Sequence, residues 1–234
     1  MKVFKFGGAS QKNAQGVRQV AEIIRQTKLP LIVVISAIGK TTNALEEVVR
    51  QVWQQKDPTT AVTNIRNEHE KIARELFPDP ATALLHIDSH FQSLQDNLKW
   101  TNEDILYDQI VCHGELLAST LLADYLKSLS VPVFWKDARE VIATDSHHRE
   151  GRIDWDLTAK KIESWRPFLE KGIIITQGFI GRTTDGLSTT LGREGSDFSA
   201  AILGYVLAAE SVTIWKDVPG VMNADPKRIP SATV

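Results

Sequence analysis

Residues 188–201 read STTLGREGSDFSAA, and they join a β-like segment to a helical one. The preceding segment Gly172–Phe179, GIIITQGF, has the continuous apolar character of a buried strand. Between the two, Asp185-Gly186 is a strong turn signal that predicts a hairpin. The segment Asp197–Ala209 begins within this stretch, is rich in Ala and Leu, and predicts a helix.

The first turn of this predicted helix combines groups that suit a small charged ligand. Gly195 and Ser196 lie at its amino end, where free N–H groups and the helix dipole favour anions, and Ser196 is a good N-cap candidate. Arg193 supplies a forked cation for a carboxylate or phosphate, and Asp197 supplies an anion for an amine. The group fits a zwitterion, although a capped helix with solvated charges would have the same sequence.

Length and composition limit the class of protein. The chain has 234 residues, enough for one large domain with a substantial core. Its net charge of −2 gives no reason to expect nucleic acid or an anionic membrane as a partner. Cys112 is the only cysteine, which excludes an intrachain disulfide and fits a reducing, cytoplasmic setting. The first residues, MKVFKFGG, contain no apolar signal region, and the apolar run Leu31–Ile35 is far too short to span a bilayer.

Strand-like and helix-like segments alternate along the chain. The pattern predicts strands at Met1–Phe6, Leu31–Ser36, Val131–Trp135, Gly172–Phe179 and Val212–Trp215, and a weaker one at Val141–Thr144. It predicts helices at Asn13–Gln26, Thr42–Gln54, Trp155–Leu169 and Asp197–Ala209, and a long helical tract at Thr59–Leu129 with interruptions near Phe77–Pro80 and Thr101. Such alternation predicts an α/β sandwich around a mainly parallel sheet, which binds ligands beyond the carboxyl ends of its strands.

The first strand ends in a lysine and two glycines. Lys5 lies beside the strand end, and Gly7-Gly8 would let backbone amides approach a phosphate closely. An edge-strand lysine followed by an ordinary turn would have the same sequence.

Three further features of the sequence concern a P-loop, a buried or exposed glutamate, and a histidine metal site. Gly39-Lys40-Thr41 matches the end of a P-loop, but the first glycine of that motif would fall at Val34, inside a strand, so we reject this interpretation. Glu115, next to a glycine within a helical tract, is interpreted either as entering a cleft or as a surface glutamate. The six histidines have no metal-ligand spacing, and we expect no metal held by side chains.

The sequence resembles the amino acid kinase family, and within it the aspartate kinases, in five segments that occur in the family's order: KFGGAS, SAIGKTTNAL, HGELLAST, TQGFIGRTTDGLSTTLGREGSDFSAA and IWKDVPGVMNADPK. The resemblance implies a three-layer αβα sandwich with a mainly parallel sheet, the carbamate kinase-like fold, in which residues 1–234 form a catalytic domain. It implies transfer of the ATP γ-phosphoryl to the side-chain carboxylate of L-aspartate, giving 4-phospho-L-aspartate, the first step of lysine, threonine and methionine biosynthesis. It also implies Mg²⁺ held mainly by the phosphates, and a cytoplasmic homodimer or larger homo-oligomer.

The same resemblance implies roles for individual residues. Those expected in catalysis are Lys5, Gly7, Gly8 and Asp197. Those expected to bind the substrate are Ser36, Thr41, Thr42, Glu115, Gly178, Phe179, Arg193, Ser196 and Asp197. Those expected to bind the nucleotide are Lys5, Gly7, Gly8, Ser10, Lys216, Asp217, Met222, Asp225 and Lys227.

The sequence departs from the family pattern in several places. Ala9 stands where threonine is usual, Glu194 where glycine is usual, and Lys216 where threonine or serine is usual. Met222 and Lys227 replace the usual tyrosine and arginine. Aspartate kinases continue past the DPK segment into more catalytic domain and regulatory ACT domains, so the chain is expected to be truncated at its C-terminus. A glutamate or uridylate kinase, and a fragment that only binds ligand, remain as alternatives.

Overall fold

The computed structural model describes residues 1–216, 220, 223–224, 228–229 and 231–233. The strands in this part of the chain are β1 (Lys2–Phe6), β2 (Leu31–Ile35), β3 (Val133–Trp135), β4 (Ile173–Gln177), β5 (Ile180–Arg182), β6 (Ser188–Thr190) and β7 (Ser211–Trp215). The α-helices are α1 (Ala14–Arg25), α2 (Thr41–Trp53), α3 (Thr59–Leu76), α4 (Ala81–Asn97), α5 (Glu103–Val111), α6 (His113–Ser128), α7 (Trp155–Ile162), α8 (Arg166–Leu169) and α9 (Gly195–Val206).

Five strands form one parallel sheet in the order β3-β4-β2-β1-β7. All five residues of β2 are buried, as expected for a central parallel strand covered on both faces. β5 and β6 form a separate antiparallel hairpin. Its turn contains Gly186 at a φ of 87°, so the hairpin predicted from Asp185-Gly186 is confirmed.

Two hydrophobic cores lie on the two faces of the sheet. Side chains of β2 alternate between them because successive residues of a strand point to opposite faces. Val33 and Ile35 join the core that includes residues of α1 to α6. Ile32 and Val34 join the core that includes residues of α7, α8 and α9. The predicted three-layer αβα sandwich is therefore confirmed.

The long helical tract 59–129 consists of four helices, and one of its junctions has no signal in the sequence. α5 and α6 meet at Cys112, whose φ of −56° and ψ of −23° remain helical. The two helices therefore follow one another directly, with only this one turn residue between them. Just after it, a Cβ on Gly114 would lie 2.8 Å from the Cβ of Ala37, so the glycine allows α6 to pack against the loop after β2.

Two predicted elements differ from the structure. The weak strand predicted at Val141–Thr144 is only a pair of isolated bridges, because the Ala143 N–H donates to the Thr158 hydroxyl at 3.0 Å instead of to a neighbouring strand. The helix predicted at Trp155–Leu169 is interrupted by a 3-10 turn at Glu163–Trp165. Neither difference changes the sheet order.

Candidate active site

The carboxyl ends of the parallel strands bring the predicted site residues to one edge of the sheet. Three backbone hydrogen bonds tie these ends together. Ser36 N–H donates to Phe6 at 3.2 Å, Gly178 N–H donates to Ile35 at 2.9 Å, and Gly7 N–H donates to Trp215 at 3.5 Å. Segments that are far apart in the sequence therefore meet at this edge, where we expect a ligand to bind.

Two lysines from adjacent strands meet one carboxylate. The Lys5 ammonium lies 2.6 Å from Asp197 Oδ1, and the Lys216 ammonium lies 3.3 Å from Asp197 Oδ2. Lys5 is 6% exposed, whereas Lys216 is exposed. Partial burial opposes ionisation of Asp197, but hydrogen bonds and charge from the two lysines outweigh it and lower the pKa of this carboxyl. The cluster holds two cations where an anion can reach them.

The amino end of α9 differs from the prediction in one detail. Ser196 is not the N-cap, because the Glu194 carbonyl accepts from Asp197 N–H at 2.9 Å and from Phe198 N–H at 3.1 Å, which places the helix start at Gly195. Glu194 has a φ of 55°, and its carboxylate lies 3.7 Å from the Lys216 ammonium. Two of the residues that depart from the family pattern, Glu194 and Lys216, are thus neighbours in space.

Arg193 lies just before this helix and is exposed. Within the described part of the chain its side chain forms no ion pair, so its guanidinium is available to a ligand. The placement agrees with the predicted role but leaves that role a prediction.

Glu115 lies inside the protein rather than on its surface. It is 3% exposed, and its Oε1 accepts from the Ala37 N–H at 3.1 Å, next to the predicted substrate residue Ser36. Its other carboxylate oxygen, Oε2, has no hydrogen-bond partner in the part of the chain that the structure describes. Burial raises the pKa of Glu115 to about 8, although the Ala37 N–H and the charge of Lys5 act in the opposite direction. Glu115 therefore enters the interior beside Ala37, where burial favours the protonated form of its carboxyl.

The two glycines after β1 have different surroundings. A Cβ on Gly8 would lie 2.5 Å from the carbonyl oxygen of Ala37, so Gly8 is needed for contact with the loop after β2. Among the described residues, apart from its chain neighbours, a Cβ on Gly7 would come no closer than 3.8 Å to another atom, and that atom is the Lys5 Nζ. Within the part of the chain that the structure describes, Gly7 therefore has open space beside the lysine, and Gly8 does not.

The remaining described candidates lie around these groups. Ser10 donates its N–H to the Gly7 carbonyl at 3.1 Å, and it borders, with Lys216, a cleft of about 430 Å³. Thr41 is buried and Thr42 half-buried in the first turn of α2. A cavity of about 510 Å³ beside β3 contains none of the predicted site residues. Asp217, Met222, Asp225 and Lys227 lie outside the described residues.

Two buried glutamines near the site were not predicted. Gln11 is fully buried and donates from Nε2 to the Ser36 carbonyl at 2.5 Å. Gln177, the last residue of β4, donates to Ser119 Oγ at 2.7 Å and accepts from Ala138 N–H at 2.7 Å. A polar residue that ends the apolar run IIITQ is a usable signal for Gln177. Gln11 has no comparable signal.

Asp108 is a second unpredicted centre. It is fully buried and accepts from Thr190 Oγ1 at 2.6 Å, Arg149 N–H at 3.0 Å and His148 Nδ1 at 2.7 Å. These bonds fix the end of β6, which leads into Arg193 and α9. Burial outweighs them and raises the pKa of the Asp108 carboxyl.

Cys112 belongs to the hydrophobic core that also contains residues of α7, α8 and α9. Cys112 is buried, and burial raises the pKa of its thiol to about 11, as expected for a core residue rather than a nucleophile. Among the described residues, no three His, Cys, Asp or Glu side chains are grouped to hold a metal ion.

The family model described as amino acid kinase family matches residues 1–234. This chain belongs to the amino acid kinase family. The aspartokinase of Chlamydia trachomatis is 38% identical over 229 residues, which cover 96% of this chain and 50% of that protein. Lysine-sensitive aspartokinase 3 of Escherichia coli is 32% identical over 236 residues, which cover 98% of this chain and 52% of that protein.

Solved structures agree with this family membership. The structure of E. coli aspartokinase III in complex with aspartate and ADP has a TM-score of 0.91 at 30% identity, covering 99% of this chain and 52% of that one. Isopentenyl phosphate kinase, at a TM-score of 0.56 and 15% identity, shares the fold of this chain. The chain spans about half the length of the aspartokinases named here. None of the helices in its described residues has the length and apolar character needed to cross a membrane.

Proposed function

We propose that residues 1–234 belong to the catalytic domain of an aspartate kinase, which transfers the γ-phosphoryl of ATP to the side-chain carboxylate of L-aspartate. The observation that carries the proposal is the cluster in which the ammonium groups of Lys5 and Lys216 meet Asp197 at the first turn of α9. The similarity to an aspartokinase whose structure contains aspartate and ADP supports the choice of substrates.

The reaction needs positioning and charge neutralisation rather than a strong base. A side-chain carboxylate oxygen of aspartate attacks the γ-phosphorus, and the bond from that phosphorus to the bridging oxygen breaks, so that ADP leaves with the electron pair. The attacking carboxylate is already ionised at neutral pH, and no proton has to be removed. Lys5 and the Gly7 and Gly8 backbone would hold the transferring group, while Lys216 and Ser10 contact the nucleotide phosphates.

Positively and negatively charged side chains would bind the two charged groups of the aspartate zwitterion. Arg193 would pair with a carboxylate, and Glu115 and Asp197 would face the ammonium. Binding of that ammonium favours the ionised form of Glu115, although burial keeps its pKa at about 8 in the free protein. Ser36, Thr41, Thr42, Gly178, Phe179 and Ser196 would line the same end of the cleft.

Mg²⁺ fits this site as a partner of the phosphates. The Asp197 and Glu194 carboxylates are engaged by lysines, and Glu115 is buried, so these groups favour a metal held mainly by phosphate oxygens. When bound there, Mg²⁺ neutralises phosphate charge. Asp217, Met222, Asp225 and Lys227 are proposed to complete the nucleotide site.

In the cell, the proposed reaction is the first step of lysine, threonine and methionine biosynthesis. We propose a cytoplasmic enzyme that works as a homodimer or larger homo-oligomer. A coupled assay of ADP release with L-aspartate, L-glutamate and UMP as alternative acceptors tests the assignment. Release that depends on L-aspartate supports it, release with glutamate or UMP alone favours a sister kinase, and release with none favours a ligand-binding fragment.

A further inference from the structure

The turn after β4 has an unusual backbone. The Ile180 N–H donates to the Gly178 carbonyl at 2.9 Å, and the residue between them, Phe179, has a φ of 69°. In a γ-turn, the N–H of residue i+2 donates to the carbonyl of residue i. A γ-turn whose central residue has a positive φ is the rarer, strained form. Because Phe179 carries a Cβ, the conformation has a cost that glycine would avoid, and it persists only where surrounding contacts impose it.

Ser199 makes one of those contacts with its hydroxyl. Ser199 Oγ accepts from the Phe179 N–H at 2.9 Å and donates to the Gly195 carbonyl, one helical turn earlier, at 2.9 Å. The residue is 0% exposed, so water cannot replace either bond. A single buried hydroxyl therefore joins the γ-turn to the first turn of α9.

Two glycines bring the γ-turn and the helix into direct contact. A Cβ on Gly195 would lie 2.7 Å from the Phe179 ring, and a Cβ on Gly178 would lie 2.5 Å from the Cβ of Ser196. These glycines permit the approach but do not fix the angle at which the turn meets the helix. The directional bond from the Phe179 N–H to Ser199 supplies that constraint.

We propose that Ser199 is a positioning residue for the amino-acid substrate. By holding the Phe179 N–H, it maintains the strained γ-turn and aligns it with the first turn of α9, where Ser196 and Asp197 lie. The inference rests on the proposed function, because it is there that Phe179, Ser196 and Asp197 are assigned to aspartate. Ser199 itself acts only through these neighbours.

The first test separates the Michaelis constants of the two substrates. Ser199→Ala removes the hydroxyl and leaves the Phe179 N–H without this partner, so we expect the KM for aspartate to rise about tenfold. The KM for ATP should change less than about twofold, because the bond serves the aspartate end. Ser199→Thr retains a hydroxyl and should restore most of the aspartate KM. Ser128→Ala is the matched control, since its hydroxyl also bonds within a helix, to Tyr125 at 2.7 Å, but is exposed.

The second test asks whether Ser199 acts through the backbone of Phe179. Glycine adopts positive φ without the steric cost, so Phe179→Gly removes the strain that Ser199 is proposed to hold. Ser199→Ala should then change the aspartate KM less than about twofold in the Phe179→Gly background, as measured by a double-mutant cycle. The same cycle can be followed by the denaturant midpoint of unfolding. This measures the coupling between Ser199 and Phe179 without requiring catalytic activity.

The outcomes separate this inference from the proposed function. An unchanged aspartate KM in Ser199→Ala, equal rises in the KM of both substrates, or an equal effect in both backgrounds would overturn the positioning role. A wild-type protein that releases no ADP with aspartate would contradict the proposed function, while the coupling in the unfolding cycle would still report on the Ser199–Phe179 bond. If Ser199→Ala does not fold, Ser199→Cys, with its weakly bonding thiol, provides the same comparison.

Discussion

The Lys5 ammonium and the Asp197 carboxylate lie 2.6 Å apart, and their contact joins the end of β1 to the first turn of α9. Lys216, at the end of β7, lies 3.3 Å from the other oxygen of the same carboxylate. In the free protein, Asp197 thus neutralises part of the charge of two lysines. When a phosphoryl group arrives, its oxygens can take over these contacts.

Lys5→Met should affect the rate far more than the fold. Loss of one preorganised charge-stabilising donor typically lowers kcat by about 10²–10³. Thermal unfolding should change little, because Asp197 keeps its contact with Lys216. Lys2→Met, at the opposite end of the same strand, is the control and should leave kcat unchanged. A Lys5→Met enzyme with wild-type kcat would remove Lys5 from the chemistry.

Arg193→Ala should weaken aspartate binding much more than ATP binding. A hydrogen bond to a charged group contributes about 1.5–3 kcal/mol, so we expect a loss of about 10- to 100-fold in aspartate affinity. Arg193→Lys keeps the charge but loses the forked geometry, and should recover only part of the affinity. Calorimetric titration with each ligand measures both effects. A loss confined to ATP would move Arg193 to the phosphates.

The two glycines after β1 should respond differently to alanine. Gly8→Ala places a Cβ 2.5 Å from the Ala37 carbonyl, and we expect a loss of about 1–3 kcal/mol in the free energy of unfolding. The Cβ of Gly7→Ala meets no described residue closer than 3.8 Å, and the φ of −78° is allowed for alanine, so the variant should fold normally. Its kcat should nevertheless fall, because the new methyl group occupies the space beside Lys5. Denaturant unfolding and steady-state kinetics on both variants check the two expectations, and a fully active Gly7→Ala would show that no ligand approaches there.

Glu115 should make the stability of the free protein depend on pH. Burial raises its pKa from 4.5 to about 8, so the folded state retains a proton that the unfolded state has lost. The stability that this carboxyl contributes is therefore fully present below its pKa in the unfolded state. That contribution is lost as the pH rises through its pKa in the folded state. The free energy of unfolding should decrease with pH in this window, by up to about 1.4 kcal/mol per pH unit.

Glu115→Gln provides the control for this pH dependence, because the amide does not titrate and has nearly the same shape. Denaturant unfolding from about pH 5 to pH 8 should show a smaller slope for the variant than for the wild type. Identical slopes for the two proteins would mean that Glu115 is ionised in the folded state.

The sheet was predictable because its signals are local. The run LIVVI at Leu31–Ile35 is buried along its whole length, and apolar residues at helical spacing, such as Val17, Val20 and Ile24, form the buried face of α1. The hairpin was predictable from Asp185-Gly186 for the same reason. Such patterns do not depend on which distant segment a residue meets.

The parts that sequence reasoning missed depend on tertiary contacts. The bonds of Asp108 come from His148, Arg149 and Thr190, and no local pattern predicts them. The N-cap prediction for Ser196 was wrong because Glu194, at a φ of 55°, starts the helix earlier than composition suggests. The single turn residue Cys112 falls between two good helix-forming segments. The sequence was enough to place Lys5 at the end of a strand. That Lys5 and Lys216 both contact Asp197 depends on the order of the strands in the sheet, which the sequence pattern does not give.

Direct detection of the acyl phosphate tests whether the protein transfers a phosphoryl group to a carboxylate. The protein is incubated with MgATP, L-aspartate and hydroxylamine, which converts an aspartyl phosphate into a hydroxamate that can be identified by mass spectrometry. We expect a hydroxamate on the side-chain carboxyl, formed in equal amount to ADP and lost in Lys5→Met. ADP release without hydroxamate, or a hydroxamate formed from glutamate but not from aspartate, would contradict this expectation.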